Sequence, residues 1–204
     1  LMNGTTSLGN WTGLFRQGEK IRLRFINGSA MSYFDLRIPG LKMTVVAADG
    51  QPVTPVTVDE FRIAVAETYD VVIEPAGHEA VTLFAQSYDR TGYARGTLAV
   101  REGLAAPVPR LDERAYLTMA DMGHGGMDHS AHAGHDMSAM GGVTHPATEA
   151  GNPLVDMQTT MPEPKLGDPG IGLRDNGRRV LTYADLKSPF ADPDGREPGR
   201  TIEL

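Results

Sequence analysis

The first hundred residues alternate apolar and polar side chains with a period of two, the pattern of β-strands that bury one face. Residues 21–25 (IRLRF) and 34–38 (FDLRI) show it most clearly, and they are followed by the turn signals Asn27-Gly28 and Pro39-Gly40. Further strands are predicted at residues 43–48, 61–65, 70–74, 81–86 and 94–100, separated by turn signals at Asp49-Gly50, Pro55, Pro75-Ala76-Gly77 and Thr91-Gly92. No window of this part shows a helical period. The spacing predicts an all-β fold, either a β-sandwich or a Greek-key barrel.

Charged residues occupy alternate positions of two predicted strands. Arg22 and Arg24 lie in the first, and Asp35 and Arg37 lie in the second. On a sheet with one buried face, such residues belong on the solvent side, where opposite charges pair across strands. We therefore expect all four side chains to be exposed and to have a structural role.

The composition changes near residue 110. The first 110 residues carry eleven basic and eleven acidic side chains, so the net charge of −7 falls entirely on the remainder. No Lys or Arg occurs between Arg114 and Lys165. A long irregular C-terminal segment is predicted here, in which residues 179–186 form either a strand or one helical turn docked on the barrel.

The charge and hydropathy patterns exclude some classes of partner. An acidic balance without a basic block argues against a nucleic acid. No apolar run approaches the ~18 residues of a membrane span. Residues 1–4 lack the basic start and apolar run of a secretory signal, and we expect the chain to be a fragment of a longer protein.

Histidine and methionine are concentrated in residues 119–145, called here the Met/His window. It holds five of the six histidines and five of the ten methionines. Thioether and imidazole are donors that suit copper, and especially Cu(I), better than nickel or zinc. The candidate metal ligands are Met119, Met122, His124, Met127, His129, His132, His135, Met137 and Met140. These methionines are separated by Gly, Asp and Ser, so they do not form the apolar stripe of a packed helix.

The chain contains no cysteine. This excludes disulfides, thiolate zinc sites, cysteine nucleophiles and a blue-copper centre assembled from this chain alone. In an oxidising compartment a thiolate site would be lost to disulfides, whereas a thioether still binds metal. There is also no His-x-His pair, so we expect neither electron entry nor dioxygen reduction here, and no catalytic residue is predicted.

Five runs of sequence resemble one known family. They are residues 18–28 (GEKIRLRFING), 46–53 (VAADGQPV), 66–75 (AETYDVVIEP), 91–98 (TGYARGTL) and 172–186 (GLRDNGRRVLTYADL). The first four resemble a cupredoxin domain of multicopper oxidases. Together with the Met/His window and the fifth run, they resemble the bacterial copper-resistance multicopper oxidases of the CopA type.

That resemblance implies a periplasmic enzyme of three cupredoxin-like domains, of which this chain contains the middle one. Type 1 copper lies in the third domain and the trinuclear cluster lies between the first and third, so the middle domain holds no catalytic copper. Residues 1–110 would be the cupredoxin-like domain, 111–165 the Met/His-rich copper-binding segment, and 166–204 a linker with the start of the third domain. The implied partners are copper ions and the first and third domains of the same chain.

Two other interpretations remain open at this point. The chain could be a stand-alone periplasmic protein that sequesters copper on a β-sandwich scaffold. It could also be a structural spacer in which the Met/His window is an incidental linker.

Overall fold

Nine strands account for most of the regular structure in the described part of the chain. The computed structural model describes residues 1–118, 121, 152–154, 165–192, 194–197 and 199. The strands are β1 (Trp11–Leu14), β2 (Ile21–Ile26), β3 (Phe34–Arg37), β4 (Met43–Ala48), β5 (Gln51–Val58), β6 (Glu60–Ile63), β7 (Thr68–Ile73), β8 (Ala80–Ser87) and β9 (Tyr93–Ala99). Within these described residues, no helix has the length and apolar character needed to cross a membrane.

The strands form two sheets. One has the order β1-β9-β8-β3-β6 and the other the order β2-β7-β4-β5. Except for the parallel β1–β9 pair, neighbouring strands are antiparallel. Inward-facing residues such as Met43, Val45, Phe61 and Val71 are completely buried and belong to a single hydrophobic core. The prediction of an all-β fold is confirmed.

All seven strands predicted from the alternation are present, with ends shifted by a few residues. Two strands were missed, β1 and β5. The prediction of a turn at Pro55 was wrong, because both Pro52 and Pro55 lie within β5. That strand is at the edge of its sheet, and its pairing with β4 shifts register between Val45 and Ala47, so that Pro55 has no partner residue in β4. Edge strands and bulges are the places where a sheet tolerates proline.

A segment from the C-terminal part of the chain belongs to the same compact unit as the strands. Leu1–Tyr116 and Leu166–Ala191 make up this unit, and we call Leu166–Ala191 the returning segment. A second unit comprises Leu117–Lys165 and Asp192–Leu204. The division of the chain at residues 110 and 165 stays a prediction.

The returning segment extends the edge of the five-stranded sheet beside β6. The amide of Asp59 donates to the carbonyl of Arg179 at 2.8 Å, and the amide of Leu181 donates to the carbonyl of Glu60 at 2.9 Å. Val180 forms a parallel bridge to Glu60, and a 3-10 turn follows at Tyr183–Asp185. Both alternatives left open for residues 179–186 are therefore present in part, a strand-like bridge first and then one short helical turn.

Candidate functional site

The predicted metal ligands cannot be placed from the structure. Met119, Met122, His124, Met127, His129, His132, His135, Met137 and Met140 all lie outside the described residues. Their assignment as copper ligands stays a prediction.

The described residues do not fit a copper centre. Among them, no group of three or more His, Cys, Asp or Glu side chains is arranged to hold a metal ion. Their one histidine, His78, lies in the loop before β8, where its amide donates to the carbonyl of Pro75 at 3.0 Å. Since the whole chain lacks cysteine, the donor set of a blue-copper site is also missing.

The expectation that four charged strand residues face solvent is confirmed for two and wrong for the other two. The side chains of Arg22 and Arg24 are 59% and 66% exposed, and both bind Asp70 on the neighbouring strand. Asp35 and Arg37 are instead only 0% and 7% exposed. Strand β3 lies between β8 and β6, and chain outside the strands covers its second face, so both faces of β3 are buried.

Arg37 is the centre of a four-residue ion-pair cluster that also contains Glu60, Asp112 and Arg178. Arg37 Nη1 lies 3.1 Å from Glu60 Oε1 and 3.1 Å from Asp112 Oδ2, and its Nη2 donates to Asp112 Oδ1 at 3.2 Å. Arg178 Nε donates to Glu60 Oε2 at 2.6 Å, and Arg178 Nη2 also binds Asp112 Oδ2. Two cations thus neutralise two carboxylates in a closed arrangement.

Amide side chains complete the hydrogen bonding of the two carboxylates. Gln86 Nε2 donates to Asp112 Oδ2 at 2.7 Å, while Gln86 Oε1 accepts from the amide of Asp112 at 3.0 Å. Asn176 Nδ2 donates to Glu60 Oε2 at 3.0 Å. Glu60 and Gln86 are completely buried, so these bonds compensate groups that have no access to water.

The electrostatics of the cluster favour the charged forms of Asp112 and Arg178. Burial on its own would raise the pKa of Asp112, but the Gln86 hydrogen bond and the Arg37 and Arg178 guanidinium groups together hold it below its ordinary value. Burial likewise opposes the charge on Arg178, yet its bonds to Glu60 and Asp112 raise its pKa. These residues are therefore held ionised, as in a structural ion-pair network rather than an acid–base catalyst.

A second buried group of charges is centred on Asp35. Arg62 Nε donates to Asp35 Oδ1 at 2.7 Å, and Arg90 Nη1 lies 2.7 Å from Asp35 Oδ2. Arg62 Nη2 also donates to the carbonyl of Ile171 in the returning segment at 2.9 Å. Its guanidinium carbon lies 4.7 Å from the centre of the Tyr88 ring. This group thus provides a second contact between the sheet and the returning segment.

Part of these two buried groups of ion pairs could have been predicted from the sequence. Strand β3 reads Asp-x-Arg and β6 reads Glu-x-Arg, and the antiparallel register places Asp35 opposite Arg62 and Arg37 opposite Glu60. Complementary charges on strands that pair are visible in the sequence. The sequence does not show that Asp112 and Arg178, which are 66 residues apart, also take part in the ion-pair cluster.

The cavities among the described residues of the strand-containing unit include two that adjoin the sheets. One, of about 430 Å³, is lined by Arg37 and Arg178 of the ion-pair cluster and by Lys42 and Asp59, which bind each other at 2.6 Å. The other, of about 510 Å³, is lined largely by apolar residues near β1 and β2, among them Trp11, Phe25 and Phe34. Neither cavity brings together a nucleophile, a general base or a set of metal ligands.

The family of the chain follows from comparison with known proteins. A family model described as multicopper oxidase matches residues 1–102, the part that contains all nine strands. The chain belongs to the multicopper oxidase family.

The chain is similar to individual proteins of this family. The chain is 64% identical over 248 aligned residues to "Copper resistance protein A" of Escherichia coli, covering 100% of this chain and 41% of the relative. It is 59% identical over 251 residues to "Copper resistance protein A" of Pseudomonas syringae pv. tomato, again covering 100% of this chain and 41% of the relative. The chain thus spans about two-fifths of the length of these relatives. Among solved structures, the multicopper oxidase Fet3p, which functions in iron import, aligns with a TM-score of 0.47 and 20% identity over 54% of this chain and 22% of its own.

Proposed function

We propose that this chain is part of a periplasmic copper-resistance multicopper oxidase, in which the strand-containing unit is a scaffold without catalytic copper and the Met/His window captures Cu(I). The observation that carries the proposal is the concentration of five histidines and five methionines in a 27-residue window of a chain without cysteine. Similarity to "Copper resistance protein A" in alignments that cover the whole chain supports the copper-resistance part of the proposal.

The ligand chemistry of the window suits Cu(I) over a range of pH. Methionine thioethers do not titrate, whereas histidine loses its capacity to bind metal as it is protonated near pH ~6.5. Asp121, Asp128 and Asp136 add negative charge that attracts any cation. Capture through sulfur would persist in acid, and binding of Cu(II) or Zn(II) through imidazole would be added near neutrality.

The scaffold role follows from the donors that this chain lacks. Without cysteine and without His-x-His pairs it cannot assemble the catalytic coppers, which the proposal assigns to other parts of the full-length protein. The reaction proposed for that protein is 4 Cu(I) + O₂ + 4 H⁺ → 4 Cu(II) + 2 H₂O. The contribution of this chain would be to bind the Cu(I) substrate and hold it near the enzyme.

An anaerobic Cu(I) titration against a strong competing chelator tests the capture role. Changing Met119, Met122, Met137 and Met140 together to leucine is expected to weaken Cu(I) retention at pH 5 at least tenfold, because protonated histidines cannot replace the lost sulfur ligands. The control is Met31→Leu, a methionine 87% exposed on the strand-containing unit, which should leave the affinity unchanged. Equal affinities for all three proteins would refute Cu(I) capture and favour the spacer interpretation.

The full-length protein tests the oxidase assignment. We expect it to consume dioxygen with Cu(I) as the electron donor, and removal of residues 119–145 to raise the Cu(I) concentration needed for half-maximal rate. If no oxidase activity is found while removal of the window still abolishes copper protection in cells, the chain belongs to a copper-sequestering protein instead.

A further inference from the structure

Strand β2 has a free edge. Among the described residues it is the last strand of its sheet, and it pairs with β7 alone. The amide of Asn27 donates to the carbonyl of Glu67 at 3.2 Å, so in this antiparallel ladder the odd-numbered residues of β2 bond to β7. The amides and carbonyls of Arg22, Arg24 and Ile26 therefore face away from the sheet, and no backbone hydrogen bond between described residues uses them.

The other sheet edges are protected in ways that do not apply to β2. The returning segment covers β6 through the bridge of Val180 to Glu60. It also reaches β5, where the amide of Thr54 donates to the carbonyl of Lys187 at 2.8 Å. Strand β5 contains two prolines as well, and β1 is only four residues long. A longer unprotected edge such as that of β2 is a template for pairing with a further strand.

The charged side chains of β2 do not block its free edge. Charged residues hinder pairing when they project past an edge. Arg22 Nε and Arg24 Nε instead donate to the carboxylate of Asp70 at 2.9 Å and 2.8 Å. Since Asp70 lies in β7, both side chains point over the neighbouring strand and leave the outer side of β2 accessible.

The core beside this edge is incompletely filled. The cavity of about 510 Å³ is lined by residues 23–29 and by apolar side chains of the other sheet, such as Trp11. Leu23 and Phe25 pack against the core but are only partly buried, whereas Val71 on the neighbouring β7 is completely buried. Apolar side chains added along the free edge would fill this space and remove more of β2 from water.

A hairpin turn lies at the same cavity. Met2 and Thr5 form an antiparallel bridge with two amide–carbonyl hydrogen bonds of 2.9 Å. Between them, Asn3 and Gly4 have φ angles of +46° and +76°, the left-handed values of a type I′ turn, which joins two paired strands. Leu1 and Met2, on the first arm of the turn, line the cavity together with β2. Chain that leads into this arm therefore starts beside the free edge.

From this geometry we infer that β2 is an interior strand in the full-length protein, and that its free edge binds an extended segment leading into Leu1. The segment pairs with β2 through main-chain hydrogen bonds and places every second side chain in the cavity. Its chemistry follows: apolar residues at alternate positions, and no proline where an N–H must reach β2. This assignment rests on one part of the proposed function, namely that the chain is a piece of a longer protein. The relatives of which this chain spans 41% have the length to supply the segment.

Hydrogen–deuterium exchange at single-residue resolution tests the pairing by comparing this chain with the full-length protein. In this chain, we expect the amides of Arg24 and Ile26 to exchange at least about a hundredfold faster than those of Leu23 and Phe25, which bond to β7. In the full-length protein, the exchange of Arg24 and Ile26 should slow by at least about a hundredfold, while Leu23 and Phe25 stay protected in both. Equal exchange of Arg24 and Ile26 in the two proteins would overturn the inference.

Two variants at one position provide a matched pair. Arg24→Ala and Arg24→Pro both remove the ion pair with Asp70, but only proline also removes the outward amide. In the full-length protein, the amide of Ile26 should exchange at least about tenfold faster with Arg24→Pro than with Arg24→Ala, because the added strand loses a hydrogen bond. Protection of Phe25 in both variants shows that β2 is still paired with β7. Equal exchange of Ile26 in the two variants, with Phe25 protected, would contradict the added strand.

Pairing with a second copy of this chain is the alternative occupant. Protection of Arg24 and Ile26 would then rise with the concentration of this chain, together with a dimer in sedimentation velocity, and would be absent from the full-length protein; this result would overturn the inference. The outcome is also separate from catalysis. If both amides are protected in a full-length protein without oxidase activity, the added strand stands and the proposed oxidase function fails. If that protein oxidises Cu(I) while both amides exchange freely, the function stands and the added strand fails.

Discussion

Replacing Glu60 by glutamine is the most direct perturbation of the buried charges. Glu60→Gln keeps the size of the side chain but removes its charge, leaving Arg37 and Arg178 to share Asp112 alone. Because Glu60 is fully buried, no water can take the place of the lost carboxylate oxygen. Breaking a buried ion pair by removing one partner costs about 3–5 kcal/mol, and we expect the free energy of unfolding to fall by that amount.

Asp70→Asn is the matched control. Asp70 is likewise buried and binds two arginines, but the side chains of Arg22 and Arg24 are 59% and 66% exposed. Solvent can compensate both guanidinium groups, so removing the shared charge is expected to cost only about 1–2 kcal/mol. The difference between the two losses of unfolding free energy measures the effect of burying the arginine partners.

Urea unfolding at pH 7 provides the measurement, with the fluorescence of Trp11 and far-UV circular dichroism as independent probes. With a slope of about 2 kcal/mol/M, Glu60→Gln should lower the midpoint by roughly 2 M and Asp70→Asn by less than about 1 M. If Glu60→Gln costs less than about 1.5 kcal/mol, or no more than Asp70→Asn, the reasoning from burial is wrong.

Three other perturbations have defined outcomes. The lowered pKa of Asp112 means that its stabilisation is complete above the ordinary value of 3.8 and is lost as the pH falls below that value, so Asp112→Asn should flatten the acid limb of the unfolding free energy against pH. An unchanged acid limb would contradict this. Gly96→Ala would place a Cβ 2.8 Å from Met2 Sδ and 2.9 Å from Trp11 Cε3, so it should shift the fluorescence of Trp11 and destabilise β1. The control is Gly92→Ala, which has open space around it and should change the free energy of unfolding by less than about 0.5 kcal/mol. Leu173→Ala removes a side chain only 1% exposed and should cost about 2–5 kcal/mol in urea unfolding; a cost below about 1 kcal/mol would show that the returning segment is not part of the cooperative unit.

The local alternation of apolar and polar residues was sufficient to predict most strands, because that alternation depends only on residues next to each other in the sequence. The alternation at residues 21–25 and 34–38 predicted β2 and β3, because side chains of a strand point to opposite faces whatever the rest of the chain does. The same pattern failed at β5, where Pro55 indicates a turn unless the strand is known to be at an edge. Edge position is a property of the sheet and has no local signal.

In the candidate site, too, some features can be recognised from the sequence and others depend on the fold. The Met/His window and the absence of cysteine are visible in composition alone, and they predict the metal chemistry that we propose for this chain. They could be recognised without a fold because ligand type does not depend on packing.

The burial of Asp35 and Arg37 was decided only by tertiary structure. Their alternating positions predicted a solvent face, but chain from beyond the strands covers that face. It supplies Asp112 as a partner of Arg37, and Arg178 as a partner of Glu60 and Asp112. Residues 66 apart in sequence meet because the returning segment docks along β6, an arrangement fixed by backbone hydrogen bonds and buried apolar side chains rather than by any motif. The sequence alone therefore determined seven of the nine strands and predicted the kind of metal ligands. Tertiary structure decided which charges are buried and which distant residues pair with them, because both depend on contacts between segments far apart in the sequence.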